Sequence, residues 1–113
     1  MKKIEAVIRE EALEKVLKAL SSNGIKPITT YPVRGRGRQG GVIYHWKEGV
    51  ERYELLPRMK IELVLPDDMV ERAITIIRDA VHEGVPGDGK LWVIPVDEAV
   101  RLRTGERGDK ALL

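Results

Sequence analysis

The strongest constraint on this chain is an internal repeat. Lys3-Ile4-Glu5-Ala6-Val7-Ile8 overlays Lys60-Ile61-Glu62-Leu63-Val64-Leu65, and at the same offset Leu13-Glu14-Lys15-Val16-Leu17 overlays Val70-Glu71-Arg72-Ala73-Ile74, with Leu20 falling on Ile77. Each copy opens with strand-like alternation. Ile4, Ala6 and Ile8 share one face, and Met59, Ile61, Leu63 and Leu65 do the same in the second copy. Each copy then changes to a helical period. Leu13, Val16, Leu17 and Leu20 form one apolar stripe, and Val70, Ala73, Ile74, Ile77 and Val81 form the other. Asn23-Gly24 is expected to stop the first helix and Gly84 the second. Pro66-Asp67-Asp68 opens the second helix, with acidic side chains at the positive end of its dipole.

Another strand follows each helix: residues 25–34, weakened by Pro27 and Pro32, and residues 90–96, Lys-Leu-Trp-Val-Ile-Pro-Val. The order β-α-β-β-α-β predicts an α+β, ferredoxin-like double β-α-β repeat. Right-handed crossovers put both helices on one face of the sheet. The other face would carry Val7, Val64, Trp92 and Ile94, too apolar for water, which predicts packing against other subunits. The whole chain, 1–113, suits a single domain. Residues 35–54 have no counterpart in the repeat, and a connection of that length is expected to be functional or mobile.

Charge narrows the function. The net charge is only +2, although 34% of residues are charged. Arg34, Arg36 and Arg38 form one basic cluster. Lys90, Arg101, Arg103 and Arg107 form a second, interrupted by Asp97 and Glu98. Two small clusters on a near-neutral chain point to a discrete anion site rather than a nucleic-acid face. The absence of Cys excludes disulfides and thiolate metal sites and fits a cytoplasmic location. Arg9, Glu10 and Glu11 interrupt the N-terminal region before a signal-peptide core could form, and no apolar run is long enough to span a bilayer.

The motifs carry chemistry only in combination. Gly35-Arg36-Gly37-Arg38-Gln39-Gly40 reads G-x-G-x-x-G, but a dinucleotide fingerprint must lead into a helix, and the β-like run Val42-Ile43-Tyr44-His45-Trp46 follows instead. A flexible loop base, or an anion-binding loop using Arg38, fits better. Gly87-Asp88-Gly89-Lys90 lacks the spacing and the hydroxyl residue of a Walker A loop. Its glycines could still bring backbone N–H groups to phosphate oxygens, with Lys90 adding charge; an ordinary turn is the plainer alternative. Arg101-Leu102-Arg103, if locally extended, puts two guanidinium groups on one face, suited to phosphate; a solvated basic tail is the alternative there. His45 and His82 are isolated and read as surface histidines, and no serine lies in a nucleophile-elbow motif.

Together these pieces resemble the PII family of signal-transduction proteins, trimeric sensors of nitrogen and energy state. The likeness runs nearly end to end without a gap. It is most specific at Gly35-x-Gly-Arg-Gln39, Pro57-x-x-Lys-Ile-Glu62, Val64-x-Pro-Asp-Asp68, Gly87-Asp-Gly-Lys90 and Arg101-x-Arg-Thr-Gly105. The resemblance implies a barrel-like homotrimer that binds ATP or ADP in the clefts between subunits. Gly37, Arg38, Gly87, Asp88, Gly89, Lys90, Arg101 and Arg103 would surround the phosphates, in a phosphate loop at 84–90 and a C-terminal segment at 97–113. Val7, Thr29, Glu62 and Val64 would border the adenine. Gln39 would help hold Mg²⁺, and Arg9, Gln39, Gly41 and Arg58 would receive 2-oxoglutarate or another small carboxylate. Residues 36–54 would form the T-loop that engages a target protein.

This sequence departs from the family pattern in three places. Glu51 stands where the family commonly carries a uridylylated tyrosine, and Tyr44 and Tyr53 are out of register with it. Arg58 stands where 2-oxoglutarate sensors usually have Lys, a change in reach and fork geometry. The loop from Gly40 to Arg52 is unusual and holds Tyr44 and Trp46, which with Glu51 and Tyr53 are the expected partner contacts. An ammonium transporter or a metabolic enzyme is the class of target the resemblance suggests, and the divergent loop suggests one other than the usual transporter. The expected protein is therefore a cytoplasmic regulator, not an enzyme, that neither binds nucleic acid nor enters the membrane. The competing readings are a weak nucleotide hydrolase or transferase, which lacks a paired base and nucleophile, and a ferredoxin-like RNA-binding domain, for which stacking aromatics beyond Trp92 are scarce.

Overall fold

The computed structural model describes the backbone of every residue except 38–41, 47, 48 and 54, and side chains outside those and outside 42–46 and 50–53. Strand β1, Lys2–Ile8, leads through a 3₁₀ turn at Glu10–Ala12 into α1, Leu13–Ser22. Gly24 adopts φ +79°, and the N–H groups of Asn23, Gly24 and Ile25 turn back onto Leu20 and Ser21, which ends α1 where the sequence predicts. Strand β2 covers Thr29–Gly35. It begins four residues later than predicted, because Ile25 is drawn into the core beneath the helix end and Pro27 cannot donate to a ladder.

Between β2 and the second repeat lies a hairpin, β3 (Val42–Trp46) paired with β4 (Gly49–Tyr53). The run after the G-x-G-x-x-G string is thus a strand, and the dinucleotide fold is excluded. Strand β5, Leu56–Leu65, is followed by a 3₁₀ turn at Asp67–Met69, then α2 (Val70–Val81) and β6 (Lys90–Pro95). α2 ends at Val81 rather than near Gly84: His82 is already extended, and Gly84, at φ +77°, shapes the loop beyond.

The main sheet has the order β2-β5-β1-β6 with every pair antiparallel, the ferredoxin-like arrangement. α1 and α2 lie side by side over one face. Ile4, Ala6, Ile8, Ile61, Leu63 and Leu65 point into this layer and bury against Val16, Leu20, Ala73 and Ile77. Met59, on the same face, is only partly buried at its edge. Ile61 is wholly buried, and its truncation to Ala is expected to cost about 2–5 kcal/mol.

The opposite face adds charge pairs to the sequence expectation. Val7, Val64, Trp92 and Ile94 do lie on it, but the same alternation brings Lys3, Glu5, Lys60 and Glu62 among them. Glu5 is only 7% exposed. It accepts a hydrogen bond from Trp92 Nε1 at 2.6 Å and pairs with Lys3 Nζ at 3.0 Å and Lys60 Nζ at 3.6 Å. Lys60 also stands 5.8 Å from the Tyr31 ring centre and 5.6 Å from that of Trp92. The face therefore mixes charge pairs with apolar side chains, Trp92 and Ile94 among them still exposed.

Candidate functional site

One group of predicted residues gathers where β1, α2 and β6 meet. Lys90 opens β6 directly opposite Val7. Gly89, just before it, has φ +106°, and a Cβ there would stand 2.1 Å from the Val7 carbonyl oxygen, so only glycine allows the turn to lie against β1. Gly87 has φ +103° and faces Arg58, whose Nη2 would be 3.9 Å from a Cβ at that position. Gly87, Gly89, Lys90 and Arg58 therefore share one end of the sheet with Val7. The base of the segment after β2 leaves from that end, since Val33 pairs with Arg58 and Gly35 with Leu56. Gly37 lies there, exposed. Arg38, Gln39 and Gly41 fall outside the described residues.

Asp88 organises this turn. Its Oδ2 accepts the N–H groups of Glu83 at 3.1 Å and Gly84 at 3.0 Å, and its Oδ1 accepts Arg9 Nη1 at 2.9 Å. The Glu83 amide foremost, then the Gly84 amide and the Arg9 guanidinium, hold the Asp88 carboxyl below its ordinary pKa against the opposing effect of burial. Arg9 also donates to the Val81 carbonyl at 3.0 Å, taking up a free acceptor at the end of α2, and pairs with Glu83 at 3.2 Å. Its Nε has no hydrogen-bond partner among the described residues; Glu11 approaches to 3.5 Å without the geometry of one. Behind the turn, a cavity of about 370 Å³ is bounded by Ile8, Ile77, Val81, Asp88, Gly89 and Lys90.

A second group lies toward the other edge. Thr29 on β2 pairs with Glu62 on β5, and a cavity of about 230 Å³ is lined by Pro27, Thr29, Glu62, Val64 and Leu112. Glu62 accepts the Tyr31 hydroxyl at 2.5 Å, with Lys60 Nζ at 3.8 Å and Lys3 Nζ at 3.9 Å. The C-terminal segment closes one wall through Ala111 and Leu112.

Arg101 and Arg103 belong to this segment but not to an extended strand. Arg101 N donates to Glu106 O and Gly105 N to Arg101 O, and an isolated bridge joins Val100 to Arg107. The predicted extended Arg-Leu-Arg is instead a tight turn, because Gly105, at φ +78°, folds the chain back. Arg101 is partly engaged, donating to the Leu113 carbonyl at 3.0 Å and lying 3.7 Å from Glu106. Arg103 has no ion pair or hydrogen bond among the described residues, and the neighbouring Leu102 is 97% exposed.

Within one chain Thr29 and Lys90 lie on opposite edge strands, while Val7 and Glu62 lie on the paired inner strands β1 and β5. β2 and β6 are opposite edges of a four-stranded sheet, about 14 Å apart at the usual strand spacing. Sequence reading found the members of both groups but missed the Arg9–Asp88 contact and the Glu5–Lys60–Trp92 cluster. The repeat contained the second signal, since Lys3-Ile4-Glu5 and Lys60-Ile61-Glu62 put acid and base on the same alternate face. The expected partner residues Tyr44, Trp46, Glu51 and Tyr53 fall on β3 and β4, where Tyr44 stands opposite Glu51 in the backbone register and their side chains lie outside the described set. Among the described residues no helix is long and apolar enough to cross a membrane.

Comparison with known proteins bears on what this arrangement serves. The family model described as nitrogen regulatory protein P-II matches residues 1–106. The nitrogen regulatory protein P-II of Azospirillum brasilense is 47% identical over 112 residues, covering 99% of this chain and 100% of that protein. The P-II protein of Rhodospirillum rubrum is 45% identical with the same coverage. The nitrogen regulatory protein P-II 2 of Methanothermobacter thermautotrophicus, also 45% identical, is covered over 97% of its length. Full-length matches at these identities join the fold and its surface elements to one lineage: the chain belongs to the P-II family of nitrogen regulatory signal-transduction proteins.

Proposed function

We propose that this P-II protein binds ATP or ADP in clefts between the subunits of a homotrimer and passes the state of those clefts to a target protein through residues 36–54. The observation that carries the proposal is the separation of the two residue groups. The Gly87–Lys90 turn stands at the β6 edge and Thr29 at the β2 edge, about 14 Å across the sheet, with Glu62 and Val64 on β5 between them; on this reading the phosphates lie in the turn of one copy and the adenine lies against Thr29, Glu62 and Val64 of another. A second copy, presenting its β2 edge and C-terminal turn to the first copy's Gly87–Lys90 turn, supplies the missing half.

In this arrangement each residue has a distinct task. The N–H groups of the Gly87–Lys90 turn and the ammonium of Lys90 hold phosphate oxygens. Arg101 and Arg103, together with Arg38, add guanidinium groups whose planar fork suits phosphate. Val7 and Val64 give the adenine apolar walls, and Thr29 and Glu62 give polar contacts. Among the described residues no three His, Asp or Glu converge as a metal cage. Mg²⁺ would therefore depend on the triphosphate oxygens and Gln39.

A small dicarboxylate such as 2-oxoglutarate would meet Arg58 beside Gly87, with Gln39 and Gly41. Arg9 is less suited to receive it, because its guanidinium is taken by Asp88, Glu83 and the Val81 carbonyl. Tyr44, Trp46, Glu51 and Tyr53 on the hairpin are the surface for a target, an ammonium transporter or a metabolic enzyme. The protein acts as a cytoplasmic regulator rather than a catalyst. Calorimetry with ATP and ADP, with and without 2-oxoglutarate, combined with light scattering, tests the reading. It predicts saturable binding to a trimer; a stable monomer at micromolar concentration, or no nucleotide binding, contradicts it.

A further inference from the structure

We propose that Arg9 is a positioning residue for the anion-binding turn: it acts through Asp88 to fix the Gly87–Lys90 backbone and does not itself touch the ligand. The inference rests on the nucleotide-site reading above and assigns a part to a residue pair that the reading leaves without one.

An acidic side chain within a turn meant for a polyanion is a liability, because its charge repels the ligand and competes for the same N–H groups. Here the Asp88 carboxylate is turned toward the segment that precedes it. One oxygen accepts the amides of Glu83 and Gly84, and the other meets Arg9 Nη1. Asp88 thus ties the two ends of the 83–88 loop together, and Arg9 ties that knot to β1 and α2, through its position just after β1 and its bond to the Val81 carbonyl. The Arg9 side chain is only 13% exposed and faces three carboxylates, those of Glu11, Glu83 and Asp88. Its charge is spent within the fold. Lys90 and Arg58, by contrast, have no carboxylate partner among the described residues and remain available to an anion. Gly89 adds the second constraint, since its close approach to the Val7 carbonyl leaves the turn only one way to lie. With Gly89 fixing one side and the Arg9–Asp88 pair the other, the N–H groups of the turn are oriented before a ligand arrives, which lowers the cost of binding.

The test uses Arg9→Met, Asp88→Asn and the double variant of the full chain. Each single variant should lower ATP affinity about tenfold, and the double should lose no more than the worse single, because the pair acts as one unit. Adenosine, followed by competition, should bind each variant as it binds the parent. Arg9→Lys, which keeps the charge but not the two-pronged grip, should fall with Arg9→Met, and it serves in its place if Arg9→Met does not fold. Additive losses, equal losses of ATP and adenosine, or an unchanged ATP affinity would overturn the assignment. Hydrogen exchange of the ligand-free protein separates this inference from the nucleotide reading. Faster exchange at the Glu83 and Gly84 amides in the Arg9 variants supports the clamp even if the parent binds no nucleotide, and unchanged exchange refutes it.

Discussion

The Gly87–Lys90 turn and the Arg101–Arg103 turn carry similar chemistry but are built in opposite ways. The first is braced on every side: Gly89 against the Val7 carbonyl, Asp88 on two amides and Arg9, Arg9 on the end of α2. The second projects. Leu102 is almost wholly exposed and Arg103 meets nothing among the described residues, although Gly105 and the Val100–Arg107 bridge fix the turn's backbone. On the nucleotide reading proposed above, the braced turn supplies one half of a cleft and the projecting turn, with its bare Leu between two Arg side chains, supplies the other. The contrast supports the proposal that the site is completed between copies.

The largest effect should come from removing the braced turn's glycine. Gly89→Ala must move the Val7 carbonyl or abandon a φ of +106°, and the two penalties together should destabilise the fold by about 3 kcal/mol or more, with loss of ATP binding. Thermal unfolding and calorimetry read both, and a variant with the parent's midpoint and affinity would show that the turn is not constrained as described.

Next come the cations. Lys90→Ala on the braced turn and Arg103→Ala on the projecting one should each weaken ATP binding by about 10- to 100-fold while leaving the unfolding midpoint nearly unchanged, since neither has an ion pair to lose among the described residues. If only Lys90→Ala weakens binding, the projecting turn is not part of the site and the comparison fails.

Glu5→Gln should have a smaller effect, on assembly and stability rather than on nucleotide binding. It keeps the acceptor for Trp92 Nε1 but removes the nearer of the two carboxylates that Lys3 and Lys60 share, leaving them Glu62 at 3.9 and 3.8 Å. The unfolding midpoint should fall, and it should depend more steeply on protein concentration if this face lies between copies.

The smallest effect is that of pH on the braced turn. The Asp88 carboxyl is held below its ordinary value of 3.8, so its contribution is present above that value and is lost as pH falls through the lower folded-state value. Protection of the Glu83 and Gly84 amides, taken relative to the intrinsic exchange rate at each pH, should therefore be insensitive to carboxyl titration from pH 8 down to about 5 and fall only in stronger acid. On the sheet face the sign reverses. Lys3 is raised mainly by its bond to Glu5 and Lys60 mainly by Tyr31, so their stabilisation is full below 10.5 and fades as pH climbs beyond it.

Much of this was legible in the residues themselves. The repeat exposed both core faces, because buried positions must alternate in a strand and recur at 3.6 in a helix, and Ile4, Ile61, Val16 and Ile77 do so. The β2 start was misread because Ile25 looks like a strand residue, whereas its burial is dictated by the packing of the α1 end. The charge pairs of the open face were missed because Val7, Val64, Trp92 and Ile94 were weighed without the Lys and Glu residues interleaved with them. Composition marked Gly87-Asp88-Gly89-Lys90 as a turn that could hold an anion, but taken alone it read more plainly as an ordinary turn. The pairing of Arg9 with Asp88 had no such mark, since a contact across 79 positions leaves no local pattern. The turn at Arg101–Thr104 was hidden for a related reason: Gly105 folds it back, and the alternation of Arg-Leu-Arg reads equally well as a strand.

The most direct test of a site shared between copies is complementation. Differently tagged Lys90→Ala and Arg103→Ala chains are co-expressed, mixed oligomers are isolated through both tags, and ATP binding is compared with that of each pure variant. If the braced turn of one copy works with the projecting turn of another, every mixed oligomer contains a cleft in which Lys90 and Arg103 are both intact, and part of the binding should return at the parent's affinity. If each copy binds nucleotide by itself, no cleft has both residues, and the mixed oligomers should bind as weakly as the variants from which they were made.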